Sequence, residues 1–242
     1  MTTLFHVSDI HFGAEDKAAL AWFAAAVEET QPDAIVLTGD LTFRARRREF
    51  AAASDWLRGL ARPLVIGPGN HDLPYFDLFE RFAAPYRRYQ ALADVAVKPL
   101  ELPGVTIVAL DTTAHFQWRF NWAEGRVTAK RLNQAVAQTA SAPAGHTVLI
   151  ACHHPLTGAV PGHEAGTRNG EAALAALTKA GADAFLSGHV HTPFELTRTI
   201  GERQVRLIGA GTLSERLRGH PPSFNIVRFE DEGVQVSLQN MA

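Results

Sequence analysis

The chain has one cysteine in 242 residues, Cys152, so no intramolecular disulfide framework can staple it. Cys152 ends an apolar run and reads as a small core residue. Charge of neither sign dominates: 23 Lys and Arg face 25 Asp and Glu, a net charge of −2. That balance excludes a globally basic surface, and no nucleic acid polymer is expected as partner. No apolar run approaches the roughly 18 residues of a spanning helix, so no membrane span is expected. The first residues lack a charged segment followed by a long apolar stretch. A cytoplasmic protein is the expectation. Ser/Pro linkers, internal repeats and low-complexity tracts are missing too, apart from alanine-rich stretches that read as packed helices. What is present is 46% hydrophobic residues, enough for a sizeable core. A single domain over residues 1–242 follows.

Short apolar runs alternate with segments of helical spacing. Residues 4–7, 34–37 and 63–66 read as strands. Between them, 18–30 carries Leu20, Phe23, Ala24 and Val27 at helical spacing, and 46–60 carries Phe50, Trp56, Leu57 and Leu60. A third helix is predicted over 75–92, interrupted at Pro85. Strands at 105–110, 147–151 and 184–186 alternate with helices at 128–139, N-capped by Thr128, and 170–180. This alternation argues for an α/β layered architecture with parallel strands. From about residue 193 the pattern changes to strands at 194–200, 205–208, 224–230 and 234–238, a β-rich and mostly antiparallel part.

Five polar clusters each follow an apolar run. They are Asp9-Ile10-His11, Gly39-Asp40, Gly69-Asn70-His71-Asp72, Cys152-His153-His154-Pro155 and Gly188-His189-Val190-His191. In α/β sheets the carboxyl ends of strands converge on one crevice. Asp9 and His11, two apart in an extended segment, would point the same way and serve one ion, and His189 and His191 follow the same logic. Taken singly, Asp9 or Asp40 reads as a cap, Asn70 as a turn residue and each histidine as a structural one. Taken together, carboxylates, imidazoles and one amide suit a pair of divalent cations. Nitrogen and oxygen donors fit Mn, Fe, Zn or a mixed pair.

In this order, Asp-x-His, Gly-Asp, Gly-Asn-His-Asp, a late histidine and Gly-His-x-His resemble the calcineurin-like binuclear metallophosphoesterases. Within that family the forms HVSDIHFG, GNHD, HHP and GHVH look most like the class III cyclic nucleotide phosphodiesterase branch. The resemblance implies a four-layer αββα sandwich, two facing mixed β-sheets flanked by helices. It implies one metal on Asp9, His11, Asp40 and His191, and another on Asp40, Asn70, His153 and His189, with Asp40 bridging. His153 is favoured over His154 because the family usually places its ligand two residues before such a proline. The implied reaction uses two ions roughly 3.5–4 Å apart to activate a bridging water that attacks phosphorus in line. His71 would assist at the phosphate or leaving group, oriented by Asp72 accepting its second N–H.

The implied activity is a phosphodiesterase acting on 3′,5′-cyclic nucleotides or similar small phosphodiesters. Alternatives are a phosphomonoesterase, a lipid-linked phosphodiester or pyrophosphate hydrolase, and a non-catalytic scaffold of the same fold. Lipid-pathway relatives often carry Arg at the position of His71, and degenerate scaffolds lose ligands that this chain keeps. Candidate substrate-binding residues are Arg44, His154, His163, Arg168 and Trp118. Trp118 belongs to an aromatic stretch over 115–122 that reads first as self-packing or a homodimer contact, and otherwise as a surface to stack a nucleobase or hold an acyl chain. His163 and Arg168 lie in a glycine-spaced segment, 156–169, that reads as a lid, and Asn169 would cap the following helix.

Overall fold

The structure, a computed structural model, describes residues 1–74, 77–92, 95, 100–114, 123–160, 166–230 and 233–242. The first half runs β1 (Thr2–Val7), α1 (Lys17–Thr30), β2 (Ala34–Leu37), α2 (Arg47–Gly59), β3 (Leu64–Ile66), α3 (Leu78–Ala83) and β4 (Val105–Leu110). The second runs α4 (Ala129–Ala140), β5 (Thr147–Cys152), α5 (Gly170–Ala180), β6 (Ala184–Ser187), β7 (Phe194–Ile200), β8 (Arg203–Gly209), β9 (Ser223–Glu230) and β10 (Gly233–Asn240). They form two five-stranded mixed sheets, β10-β9-β1-β2-β3 and β4-β5-β6-β8-β7.

Strand alternation builds the layers. Buried on both faces, the strands read as continuous apolar runs. On β1 and β2, Phe5, Val7, Ile35 and Leu37 point outward to α1 and α2, with Phe23 and Leu57. Their neighbours Leu4, Ala34 and Val36 point inward, against Leu149, Ala151 and Leu186 of the other sheet. On β5, Val148, Ile150 and Cys152 pack outward with Leu174 and Leu177 of α5. The result is the expected αββα sandwich, with three apolar layers between four layers of structure. Cys152 is buried, and burial pushes its thiol up to about 12.

Local sequence sets the boundaries. Asp16 caps α1 by accepting from the Ala18 and Ala19 amides, and Thr128 Oγ1 caps α4 through the Arg131 amide. The helix expected over 75–92 is shorter: among the described residues of that range only Leu78–Ala83 is α-helical, followed by a 3₁₀ turn at Tyr89–Leu92. Ala84 stands before Pro85 at φ −152°, ψ 62°, outside the helical region that proline excludes for its predecessor. The tail is antiparallel except in one place: β8 joins β6 in parallel, with Gly209 beside Ser187. No helix among the described residues is long and apolar enough to cross a membrane.

Leu186 is fully buried between the sheets. Leu186→Ala is expected to lower stability by about 2–5 kcal/mol, read as a shift of the urea midpoint at unchanged slope. Phe79→Ala, at a side chain 85% exposed on α3, should stay within about 0.5 kcal/mol of wild type.

Candidate metal centre

Asp9 and His11 follow β1, Asp40 follows β2, Asn70 follows β3, His153 follows β5, and His189 and His191 follow β6. Both sheets therefore deliver their carboxyl edges to one place. Gly69 and Gly188 permit the approach. A Cβ on Gly69 would collide with the Asp40 backbone and carboxylate, and one on Gly188 with Ser8 Oγ and Asp9 Oδ2. Asp9, His11, Asp40, His189 and His191 all have left-handed backbones, φ between 52° and 71°. The extended Asp-x-His and His-x-His segments of the sequence reading are thus tight kinks instead. Asp9 and His11 still face one another, with His11 Nε2 3.7 Å from Asp9 Oδ1. His189 and His191 diverge to opposite sides of the centre.

One donor set gathers Asp9, His11, Asp40 and His191. His191 Nε2 lies 3.1 Å from Asp9 Oδ1 and 3.2 Å from His11 Nε2, and His11 Nε2 is 3.8 Å from Asp40 Oδ2. The other gathers Asp40, Asn70, His153 and His189. His153 Nε2 is 3.4 Å from Asp40 Oδ2 and 3.1 Å from Asn70 Oδ1, and the His153 and His189 rings are 5.2 Å apart. His153 Nδ1–H donates to the Thr38 carbonyl at 2.8 Å, and His191 Nδ1–H to the Arg216 carbonyl at 2.6 Å. In the neutral ring each Nε2 therefore presents a lone pair to oxygens that also only accept, and those oxygens favour a proton there or a cation in its place. Asp9 Oδ1 is buried and accepts no hydrogen bond among the described residues. Acceptors facing acceptors in a buried site fit a divalent cation, and the outward N–H bonds are the usual means of orienting histidine ligands.

The electrostatics agree. Burial alone would raise Asp40, but the charges of His153, His71 and His11 hold it well below the usual carboxylate range. Burial pulls His153 down, yet Asp40 and then Asp9 lift it to about 9. The site favours positive charge between its side chains.

His71 sits at the rim, its Nδ1–H donating to the Phe43 carbonyl at 2.7 Å. Its ring stacks on Phe43, with centroids 5.8 Å apart and planes 12° apart. Phe43, not Asp72, orients His71. The Asp72 carboxylate points the other way and accepts from the Gly69, Leu41 and Thr42 amides and the Thr42 hydroxyl. It pins the Asn70–His71 turn to the loop after β2. Burial, and next Asp40, push Asp72 to about 6 against those hydrogen bonds.

The expected substrate residues fare differently. His154 is buried, its Nε2–H donating to Ala123 O and its Nδ1 accepting from Thr112 Oγ1, both at 2.9 Å. Both nitrogens thereby have partners, which favours His153 as the candidate ligand, and the His154 ring lies 4.5 Å from that of His189. Arg44 is exposed, its guanidinium 4.9 Å from the Phe43 ring. Arg168 is exposed, and its backbone is tied to Gly125 and Val127. Asn169 occupies the N-cap position of α5 without capping it, and Nδ2 donates to Val127 O. Neither Arg44 nor Arg168 lines the cleft over the centre. That cleft, about 330 Å³, is walled by Asn70, His71, Ala123, His189, Arg216 and Arg218 among others. Trp118, the rest of the 115–122 stretch and His163 lie outside the described residues. Sequence reasoning missed Arg216 and Phe43. The signal for Arg216 was there: it too follows an apolar run, 205–208, and a glycine-rich turn.

The calcineurin-like phosphoesterase family model matches residues 2–193, and the chain belongs to that family. It is 29% identical over 171 residues to the 3′,5′-cyclic adenosine monophosphate phosphodiesterase CpdA of Escherichia coli K12, covering 63% of this chain and 55% of that protein. The chain thus spans little more than half of that relative's length. It is 25% identical over 207 residues to a probable cyclic nucleotide phosphodiesterase of Synechococcus, covering 79% of this chain and 74% of the relative. Among solved structures, a dimetal phosphatase from Danio rerio superposes with a TM-score of 0.69 at 15% identity, covering 100% of this chain and 99% of the other. A purple acid phosphatase from yellow lupin gives 0.68 at 12% identity, covering 99% and 51%. These two share the fold.

Gly188→Ala is expected to lower metal affinity at least tenfold by forcing Ser8 and Asp9 aside, as read by equilibrium dialysis with Mn²⁺. Gly59→Ala, where a Cβ meets nothing within 4 Å, should bind as wild type.

Proposed function

We propose that the chain is a binuclear metal-dependent phosphodiesterase acting on 3′,5′-cyclic nucleotides or similar small phosphodiesters. Asp40 carries the reading. Its Oδ2 lies 3.8 Å from His11 Nε2 and 3.4 Å from His153 Nε2, so one carboxylate oxygen serves both donor sets. One cation would be held by Asp9, His11, Asp40 and His191, the other by Asp40, Asn70, His153 and His189. Mn, Fe, Zn or a mixed pair suits these donors. Such a pair supplies Lewis acidity toward a phosphoryl group and lowers the pKa of a water.

The protein's own part begins with His71. With Nδ1–H held by Phe43 O, its Nε2 faces the cleft, where the doubly protonated ring would donate to a phosphoryl or leaving oxygen. Asp72 is a positioning residue, fixing the turn that carries Asn70 and His71. A cleft of about 330 Å³ suits a small substrate. The phosphodiesterase names of the relatives support diesters over monoesters. Retention of all seven candidate ligands and of His71 favours an enzyme over an inert scaffold.

The test is a substrate panel on Mn²⁺-reconstituted protein, pairing bis-aryl with mono-aryl phosphates and 3′,5′- with 2′,3′-cyclic nucleotides. Diesters should be hydrolysed in preference to the monoester, and a strong monoester preference would refute the reading. In the same assay His71→Ala should keep its metal and lose roughly 10²–10⁴-fold in rate.

A further inference from the structure

We propose that Arg216 is a substrate-binding residue whose guanidinium grips a non-bridging oxygen of the phosphoryl group. The inference rests on the phosphoesterase reading and deepens it. Arg216 Nη1 lies 3.2 Å from both His11 Nε2 and His71 Nε2. It therefore stands between a candidate metal ligand and the histidine at the rim. The guanidinium lies 5.4 Å from the centroid of the Phe43 ring, against which the His71 ring also stacks. One aromatic side chain thus supports both cleft-facing groups.

The segment that presents Arg216 is firmly held. Thr212 Oγ1 donates to Asp9 O at 2.6 Å and lies 2.7 Å from Ser214 Oγ. The Asp16 amide donates to Leu213 O, and the Glu215 amide to Ala14 O. The Arg216 amide donates to Ser214 Oγ, and its carbonyl receives His191 Nδ1–H. Side chain and carbonyl therefore do separate things: the carbonyl orients His191, and the guanidinium faces the cleft.

Among the described residues no carboxylate pairs with Arg216, whereas Arg87, Arg131, Arg198, Arg203 and Arg206 each have one. His11 Nε2 has a single lone pair. Once given to a cation, it no longer accepts from Arg216, and an N–H of the planar fork is freed toward the cleft. A cationic fork with free donors above a metal centre matches phosphate oxygens in charge and geometry. Arg218, also lining the cleft, adds positive charge at its mouth. Arg216 lies beyond residues 2–193 matched by the family model, so this grip comes from the chain's own β-rich tail.

The experiment compares wild type, Arg216→Ala and Arg216→Lys, all Mn²⁺-reconstituted. It measures metal per chain, inorganic phosphate binding by calorimetry, and kcat and KM on a bis-aryl phosphate. Arg216→Ala should keep its metal, because the carbonyl on His191 remains. Its phosphate affinity should fall roughly ten- to hundredfold, with KM rising by a similar factor and kcat changing less. Arg216→Lys should recover only part of this, since an ammonium lacks the fork. It also serves if the alanine variant does not fold, with a several-fold loss then expected. Wild-type phosphate affinity in fully metallated variants would overturn the proposal. So would loss of metal in Arg216→Ala, which would make the side chain a prop of the metal centre. If wild type cleaves no diester yet its phosphate binding depends on Arg216, the diesterase reading fails and this one stands.

Discussion

The structure depends on a set of buried hydrogen-bond acceptors turned toward one another. Asp9 Oδ1, Asp40 Oδ2, Asn70 Oδ1 and the Nε2 atoms of His11, His153 and His191 meet at 3.1–3.8 Å. The Nδ1 protons of His153 and His191 are committed outward, to Thr38 O and Arg216 O. A cation is the economical partner. Asp40 is the hinge of the arrangement, since its Oδ2 belongs to both sets and its Oδ1 accepts the His71 amide at 2.8 Å.

Assembling those acceptors strains the backbone. Five of the nine non-glycine residues with positive φ among the described residues are candidate ligands. Each left-handed residue costs on the order of 1–3 kcal/mol, and such strain survives only where surrounding structure over-determines it. Here it is over-determined. The Asp9 amide donates to Gly39 O, the His11 amide to Asp40 O, and the His189 amide to Asp9 Oδ2. The last of these joins the two sheets. Deeper in the inter-sheet layer, His6 is held between Thr38 and Asn225, and burial lowers its pKa to about 3. His6 is thus kept as a packed polar link beneath the centre.

Much of this was legible from sequence because buried parallel strands read as short apolar runs, and a glycine with a polar cluster marks where each one ends. Residues 34–37 followed by Gly39-Asp40, and 184–186 followed by Gly188-His189, are cases where the pattern alone placed the strand and the turn that carries a candidate ligand. What the pattern could not supply was long-range backbone contact. Choosing His153 over His154 took family resemblance, because the physical reason lies in Thr112 and Ala123, some thirty to forty residues upstream. Phe43, not Asp72, orients His71, through a carbonyl that no side-chain motif announces. Arg216 was passed over because the tail read as antiparallel. The parallel pairing of β8 with β6 is what carries the end of β8 to the catalytic edge.

The central claim is that two cations share Asp40. Its most direct test is a crystal structure of Mn²⁺-loaded protein with anomalous diffraction at the manganese edge. The account predicts two anomalous peaks roughly 3.5–4 Å apart, both within bonding distance of the Asp40 carboxylate, one beside His191 and the other beside His153. A single peak at full metal loading, or two peaks of which only one contacts Asp40, would contradict it.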